Sequence, residues 1–255
     1  MGPRRQLILS AASVVTFLVL WQVLAANFIP PFFLPTPLAI GGAILDLLRQ
    51  GILLGAIGAS LGRIFAGWLL GSLIAVPIGL VVGTSQAMRS IFDPYIHFFR
   101  FVPAIALISL FIVWFGIGEA SKVLLITYAT GFIVMINTAT GVTAIPRDKV
   151  DAARCLGAGR SQVFLRVVIP ATLPFIYTGM RLAMASSFLV IVAAEMLAAN
   201  SGLGYLIWTS RLYFQIDWMF AAIIILGALG FLADRGWRLF GRLAMKRFLR
   251  DALKY

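Results

Sequence analysis

The sequence is poor in the residues that build most metal and redox sites. Its 255 residues include one cysteine, Cys155, and one histidine, His97. A single cysteine excludes a disulfide within the chain, and a single histidine excludes a metal site made from several imidazoles. We therefore predict no metal site, and we interpret Cys155 as a small packing side chain and His97 as an interfacial residue.

Lysine is also scarce, and none of its positions can complete a phosphate-binding loop. A P-loop requires a glycine directly before its lysine, because backbone amides must surround the phosphate. The residues that precede the lysines are Ser121, Asp148, Met245 and Leu253. We therefore expect the chain to carry no nucleotide cofactor and to hydrolyse no ATP.

Acidic residues are few, whereas apolar residues dominate. Nine Asp and Glu face 21 Lys and Arg, which gives a net charge of +12, and 61% of the residues are hydrophobic. The mean hydropathy of +1.00 lies far above that of soluble proteins and indicates several membrane spans. A chain of this length has no room for an additional soluble catalytic domain, so we predict one transmembrane domain over residues 1–255.

Six apolar runs approach the length of about 20 residues that a bilayer requires. They lie near 7–29, 56–83, 98–115, 122–144, 176–198 and 218–234. This pattern predicts an all-α polytopic membrane protein with about six spans. The first run has a second interpretation, a signal peptide cleaved after residue 26, but its length favours a retained helix.

The basic residues are distributed unevenly around these runs. With the N-terminus inside, only four fall on the outer side, Arg49, Arg63, Lys122 and Arg211. The positive-inside rule explains this asymmetry without any nucleic acid. It predicts that both termini lie in the cytoplasm, including the basic residues Lys246, Arg247, Arg250 and Lys254, and that a cytoplasmic loop lies at 145–175.

Small residues recur along the second run at a spacing that helix packing in lipid requires. They are Gly58, Gly62, Ala66, Gly67, Gly71, Ala75, Gly79 and Gly83. Small side chains let two helix backbones approach closely. We predict that this helix packs against another along most of its length.

Polar side chains on the fourth and fifth runs have two interpretations. They either pack one helix on another or line a path for a solute; the candidates for the path are Thr127, Thr130, Asn137, Thr138, Ser186, Ser187 and Glu195. Glu195 is a carboxylate inside an apolar run, where acids are costly and usually functional or paired. It either contacts the solute and takes part in gating, or accepts hydrogen bonds from the backbone at 200–204.

The stretch VDAARCLGAGRSQVFLRVVIP interrupts the apolar sequence with a polar, patterned insert. Asp148 is the predicted N-cap of a first helix, with Asp151 in the role of a capping-box acid, and Gly157 is a natural residue after its end. A second helix is predicted to start near Arg160 and to stop at Pro170 and Pro174. The insert is either a docking site for a partner or a loop that only fixes orientation.

The insert resembles the EAA signature of ABC importer permeases. That signature is Glu-Ala-Ala, three residues, Gly, nine residues and Ile-x-Leu-Pro. Here the order is Asp151-Ala152-Ala153, Gly157 and Val167-Val168-Ile169-Pro170, with three mild substitutions and unbroken spacing. The stretches SLGRIFAGWLLG, IVWFGIGEASK, LPFIYTGMRLA and AAEMLAANSGLGYLI are similar to permeases of the nitrate, taurine and aliphatic-sulfonate group.

The resemblance implies a MetI-like type I permease core in the bacterial inner membrane and a set of partners. The insert would be a coupling helix that docks on a dimer of ATPase subunits, which hold ATP and Mg. The coupling candidates are Asp148, Asp151, Ala152, Ala153, Arg154, Leu156, Gly157 and Arg160. A second permease copy, as a homodimer, and an extracytoplasmic solute-binding protein, near 30–50 and 199–217, are also implied.

The resemblance implies import of a small polar or anionic solute, with a thiamine-precursor pyrimidine as the alternative. A secondary carrier or channel would need no ATPase, but such chains often show internal repeats or several intramembrane charges. An intramembrane enzyme would need a cluster of acids or histidines within the spans, which the sequence does not offer. Neither alternative accounts for the insert.

Overall fold

The computed structural model describes residues 3–244, without the side chains of residues 3, 4, 6 and 7. The basic C-terminal residues Lys246, Arg247, Arg250 and Lys254 lie outside the described residues. The helices are α1 (Pro3–Asn27), α2 (Pro37–Arg49), α3 (Ile52–Thr84), α4 (Gln86–Phe99), α5 (Ile108–Phe115), α6 (Glu119–Thr143), α7 (Arg147–Cys155), α8 (Arg160–Val163), α9 (Ile169–Ala198), α10 (Leu203–Leu212) and α11 (Ile216–Ala244). A 3₁₀ turn spans Ala104–Leu107, and a π-helical turn spans Phe164–Val168.

The helix lengths confirm an all-α polytopic membrane protein. Five helical segments are long and apolar enough to cross a membrane, and a sixth is obtained if one bent pair counts as a single span. Among residues 3–244 the chain contains no β-strand. The predicted runs near 7–29, 56–83 and 122–144 correspond to α1, α3 and α6.

The third apolar run, 98–115, does not form one straight helix. The chain instead forms α4 and a second helix, Ala104–Phe115, which are bent by 84° relative to each other. Pro103 lies at the break with ψ 125°, an extended conformation. Proline has no amide hydrogen and disfavours helical geometry in the residue before it, so the helix cannot continue through this position.

The second insert helix was predicted to end at Pro170 and Pro174, and this prediction is wrong. Helix α8, the π turn and α9 form one continuous helix of 39 residues, Arg160–Ala198. The amide of Ile169 donates to the carbonyl of Phe164, a wider spacing than in an α-helix. This wide turn lies just before Pro170, where it makes room for a ring that would clash in a regular helix.

The centre of the molecule is the contact between α3 and α6, which run parallel. A Cβ on Gly67 would lie 2.6 Å from Cβ of Ile126, and one on Gly83 would lie 2.6 Å from Cβ of Val142. The glycines of α3 therefore let the two backbones touch, as predicted. The first half of α3 is also packed, with Leu53, Ser60 and Ile64 buried, but its glycines do not make the contact, since a Cβ on Gly58 or Gly62 would meet nothing within 4 Å.

Helix α9 runs antiparallel to both central helices and completes the core. A Cβ on Gly179 would lie 2.7 Å from Cβ of Asn137 on α6, and Trp68 on α3 donates from Nε1 to the carbonyl of Met180 at 2.8 Å. Helix α11 packs outside α9, where the rings of Trp237 and Tyr177 stack 5.4 Å apart. These contacts place Glu195 at one end of the bundle and the insert at the other.

Candidate functional site

Glu195 is the most deeply buried charged group in the described part of the chain, with 0% of its surface exposed. Its carboxylate accepts hydrogen bonds from Ser60 Oγ at 2.8 Å, from Arg63 Nη1 at 2.6 Å and from the amide of Gly204 at 2.8 Å. Ser60 Oγ in turn accepts a hydrogen bond from the amide of Leu203 at 2.8 Å. The carboxylate as a whole is therefore held by donors from two segments of the chain, α3 and the start of α10.

Arg63 extends this arrangement from the core to the surface. Its Nε and Nη2 donate to the two carboxylate oxygens of Glu119 at 2.6 and 2.8 Å, in a bidentate pair. It also donates to the carbonyl and hydroxyl oxygens of Ser201 at 2.6 and 3.0 Å. Lys122 Nζ donates to Glu119 at 3.0 Å. We refer to Ser60, Arg63, Glu119, Lys122, Glu195 and Ser201 as the ion network.

The ion network is electrically balanced, with two cations and two carboxylates. Arg63 has 6% of its side chain exposed, whereas Glu119 has 64% exposed. Buried charges are tolerated when they are paired and their remaining hydrogen-bonding atoms are satisfied. Because the network joins α3, α6, α9 and the turn before α10, it fastens these elements at one end of the bundle.

Two glycines make this fastening possible. Gly202 has φ 117° and ψ 168°, a conformation that is essentially restricted to glycine, and a Cβ there would collide with the carboxylate of Glu195. A Cβ on Gly204 would lie 2.9 Å from Cβ of Glu195. The turn can therefore approach the carboxylate closely enough for its amides to donate.

The carboxylate of Glu195 accepts a hydrogen bond from the turn at 200–204, which was one of its two predicted roles. Sequence reasoning missed Arg63 and Glu119 as its companions. The available signal was the arginine inside the second apolar run, because an intramembrane charge generally has a partner of opposite sign. The sequence separation of 132 residues between Arg63 and Glu195 left that partner unspecified.

The insert lies at the opposite end, and its first helix, α7, contains no buried residue. Asp148 was predicted as the N-cap of α7, and this is wrong. The N-cap is Pro146, and Asp148 lies in the first turn of the helix. Proline at this position starts the helix without a side-chain cap, since the first amides need no partner within the helix. Asp151 and Arg154 pair at 3.8 Å on the exposed surface.

The end of α7 has a defined geometry that presents one apolar side chain. Gly157 has φ 83°, the left-handed conformation that commonly ends a helix. Its amide donates to the carbonyl of Arg154 at 2.9 Å, and the amide of Ala158 donates to that of Ala153 at 3.0 Å. Leu156 projects between these residues with 88% of its surface exposed.

The other coupling candidates divide into an inner and an outer set. Ala153 packs with Val150 and Ala158 against a core cluster that includes Leu80 and Val142. Ala152, Arg154, Leu156 and Arg160 are exposed. The insert is therefore anchored to the ends of α3 and α6, while its other face is open.

Most of the polar candidates for a pathway lie in helix contacts. Thr130, Thr138 and Ser187 are buried and donate to backbone carbonyls of their own helices at 2.8, 2.8 and 2.6 Å. Thr127 donates to the carbonyl of Val123 at 2.9 Å. These hydroxyls satisfy themselves locally and leave little capacity for a solute.

Asn137 and Ser186 lie elsewhere, in the wall of a cavity of about 530 Å³. The lining comes from α4, the break after it, the 3₁₀ turn, α6 and α9. Arg100, the first residue of the break, also contributes and is exposed. We call this space the mid-bundle cavity; here the structure brings two of the pathway candidates to an open volume.

Comparison with known proteins identifies a matching family and several related sequences. Residues 67–245 match the protein family described as binding-protein-dependent transport system inner membrane component. A probable ABC transporter permease protein of Brucella melitensis is 38% identical over 84% of this chain and 87% of its own length. The taurine transport system permease protein of Escherichia coli is 34% identical over 92% of this chain and 87% of its own length.

A second group of matches concerns a related solute and the fold. The putative aliphatic sulfonates transport permease protein of Bacillus subtilis is 36% identical over 90% of this chain and 83% of its own length. The inward-facing MetNI methionine ABC transporter superposes with a TM-score of 0.69 at 16% identity, over 76% of this chain and 96% of that one. At this identity the superposition shows a shared fold.

Proposed function

The chain belongs to the family of binding-protein-dependent transport system inner membrane components, and from this membership we propose that it is the permease subunit of an ATP-driven ABC importer. The insert faces the cytoplasm and receives a dimer of ATPase subunits. The end that carries the ion network faces outward and receives a solute-binding protein. Two copies of the permease enclose the pathway.

The observation that carries this proposal is the exposed end of α7. Leu156 is 88% exposed at the tip of a helix whose inner face is fixed to the core. Fully burying a leucine side chain contributes about 1.5–3 kcal/mol. A rigidly presented leucine beside Arg154 and Arg160 fits a groove with an apolar floor and acidic rim on an ATPase subunit.

The proposal predicts that Leu156→Ser weakens the complex with the ATPase subunit. A loss of about 2 kcal/mol corresponds to roughly a thirtyfold increase in Kd. The measurement is co-purification of the ATPase with the tagged permease, followed by titration of the two purified components. Since Leu156 packs against nothing in the chain, the variant should insert and unfold as the wild type does.

The matched control is Leu243→Ser, which removes another exposed leucine, 76% accessible, from the end of α11 on the same side of the molecule. It should retain wild-type affinity for the ATPase. Equal affinities of Leu156→Ser and the wild type would contradict docking at α7. Leu156 is a sharper target than Gly157, because any side chain at Gly157 strains its left-handed backbone.

The solute is proposed to be small and polar or anionic, of the sulfonate type, because two relatives are named as permeases for taurine and for aliphatic sulfonates. Import of a thiamine-precursor pyrimidine is the alternative within the same architecture. Reconstitution of the permease with its ATPase and binding protein in vesicles should give ATP-dependent uptake. Uptake by the permease alone would instead support a secondary carrier or channel.

A further inference from the structure

We propose that Arg100 provides the positive charge of an anion-recognition site inside the pathway, with Asn137 and Ser186 as additional hydrogen-bond donors. This inference rests on the proposed transport function and gives its solute a point of contact within the membrane. The site occupies the mid-bundle cavity, and a second copy of the permease would close its open side.

The depth of Arg100 in the bundle is the first argument. Tyr128 Oη on α6 donates to the carbonyl of Phe99 at 2.8 Å, and the rings of Phe99 and Phe132 stack 6.3 Å apart. Phe132 lies near the middle of α6, which has 25 residues and the composition of a membrane span. The peptide that joins Phe99 to Arg100 therefore lies near mid-membrane.

The charge of Arg100 is the second argument. No carboxylate among residues 3–244 forms a salt bridge with it, whereas Arg63, Arg89, Arg154, Arg181 and Arg238 each have such a partner. An arginine at mid-membrane is costly in lipid and normally faces a protein interior or a water-filled cavity. From Phe132 to the end of α6 at Thr143 is about 16 Å at 1.5 Å per residue, too far for the side chain to reach the membrane surface.

The chemistry of the cavity wall is the third argument. A guanidinium offers five N–H donors and no acceptor, so it selects an anion. The guanidinium carbon lies 4.7 Å from the ring centroid of Phe101, which gives it a defined position. Asn137 uses one side-chain N–H for the carbonyl of Ile133 at 2.8 Å and retains another, and Ser186 is half-buried at the same wall.

The remaining wall is apolar and includes Phe99 and Phe132. A volume of about 530 Å³ falls in the range of small-molecule sites, which combine apolar walls with a few convergent polar groups. This combination suits a small organic anion, with its charged group on Arg100 and its carbon chain against the aromatic rings. A small inorganic anion would use only the polar part of the wall.

The first experiment measures the local charge without relying on transport. A thiol introduced by Ser186→Cys is treated with an anionic reagent, sulfonatoethyl methanethiosulfonate, and with its cationic trimethylammonioethyl counterpart, in the assembled complex. Peptide mass spectrometry separates labelling at position 186 from any labelling at Cys155. We expect the anionic-to-cationic rate ratio at position 186 to fall about tenfold on adding Arg100→Gln, because a unit charge several ångströms away is removed.

The matched control for this measurement is Arg89→Gln, which removes an arginine from α4 outside the cavity. It should leave the ratio at position 186 unchanged. An unchanged ratio in Arg100→Gln would overturn the proposal, because the guanidinium would then not face the cavity.

The second experiment measures uptake with taurine, ethanesulfonate and bicarbonate as probes. In vesicles with the ATPase and binding protein, Arg100→Gln should lower uptake of the transported probe at least tenfold, and Arg100→Lys should retain part of it. Co-purification of the ATPase should be unchanged in both variants. Wild-type uptake by Arg100→Gln would overturn the site, whereas absence of ATPase binding and of uptake in the wild type would instead overturn the proposed function.

Discussion

At the scale of single residues, the ion network is the feature with the largest energetic consequences. Its members pair their charges and hydrogen-bonding atoms with one another, so each buried charge is compensated only while its partners are present. Removing one partner of a buried pair leaves an uncompensated charge, which usually costs more free energy than the intact pair contributes. The network is therefore a site of high sensitivity to substitution rather than a large source of stability.

We predict that Glu195→Gln lowers the free energy of unfolding by about 3–5 kcal/mol, because Arg63 keeps its charge and loses a buried carboxylate. The measurement is thermal or denaturant unfolding of the detergent-solubilised protein. The matched control is Asp93→Asn, which removes the acid of an exposed pair with Arg89 at 3.8 Å and should cost at most about 1 kcal/mol. Similar losses in the two variants would contradict the role assigned to the network.

Single-residue reasoning from the sequence recovered part of this site. Glu195 stood out because it is a carboxylate in an apolar run, and the turn at 200–204 was one of its proposed partners. Arg63 and Glu119 were not connected to it, since local sequence carries no information about which side chains meet across three helices. The sequence likewise did not identify the proposed anion site, because the charge distribution assigned Arg100 only to the inner side of the membrane.

At the scale of elements, the glycines of α3 distinguish two faces of one helix. Gly71 faces Thr127 and Thr130 of α6, where a Cβ would collide. Gly62 faces open space. The same residue type therefore has opposite roles within a single helix, which the regular spacing in the sequence does not reveal.

We predict that Gly71→Val lowers the free energy of unfolding by about 1–3 kcal/mol, because α3 and α6 must separate to admit the side chain. Unfolding in detergent and the yield of folded protein are the measurements. Gly62→Val is the matched control and should be close to neutral, since valine there meets no neighbour. A neutral Gly71→Val would show that the two helices separate more readily than their contact indicates.

The observed helix boundaries agree with the predicted ones where the length of an apolar run determines them. They differ from the predicted ones at prolines. Pro103 breaks its helix because an extended residue at that point redirects the chain by 84°. Pro170 does not break its helix, because the π turn before it changes the hydrogen-bond register, and Pro174 lies inside α9 without ending it. Proline alone predicts a disturbance, and the surrounding packing determines whether it is a break or a bulge.

At the scale of the whole molecule, the proposed orientation assigns the two ends to the two sides of the membrane. We predict that Cys155, which is exposed in the permease, reacts with a membrane-impermeant maleimide in inside-out vesicles from cells that lack the ATPase subunit, and not in intact cells. Gln50→Cys places a thiol in the exposed turn after α2, at the opposite end of the bundle. It should react in intact cells, and the reverse pattern at the two positions would invert the topology.

The overall architecture was accessible from sequence because lipid imposes simple rules. Every backbone group must be paired within the membrane, so long apolar runs become helices. The helix count and the family resemblance followed from this and from the insert motif. The mid-bundle cavity did not follow, because it depends on the angle between α4 and the 3₁₀ turn, which no periodicity encodes.

The continuous helix Arg160–Ala198 has a mechanical consequence. With 39 residues it is a rod about 58 Å long, whose lower tip adjoins α7 and whose upper tip carries Glu195. If the end beside α7 tilts, the end that carries Glu195 must move sideways. Bending at the π turn would reduce this movement. Under the proposed function, force that an ATPase applies at α7 would therefore reach the ion network through this one helix.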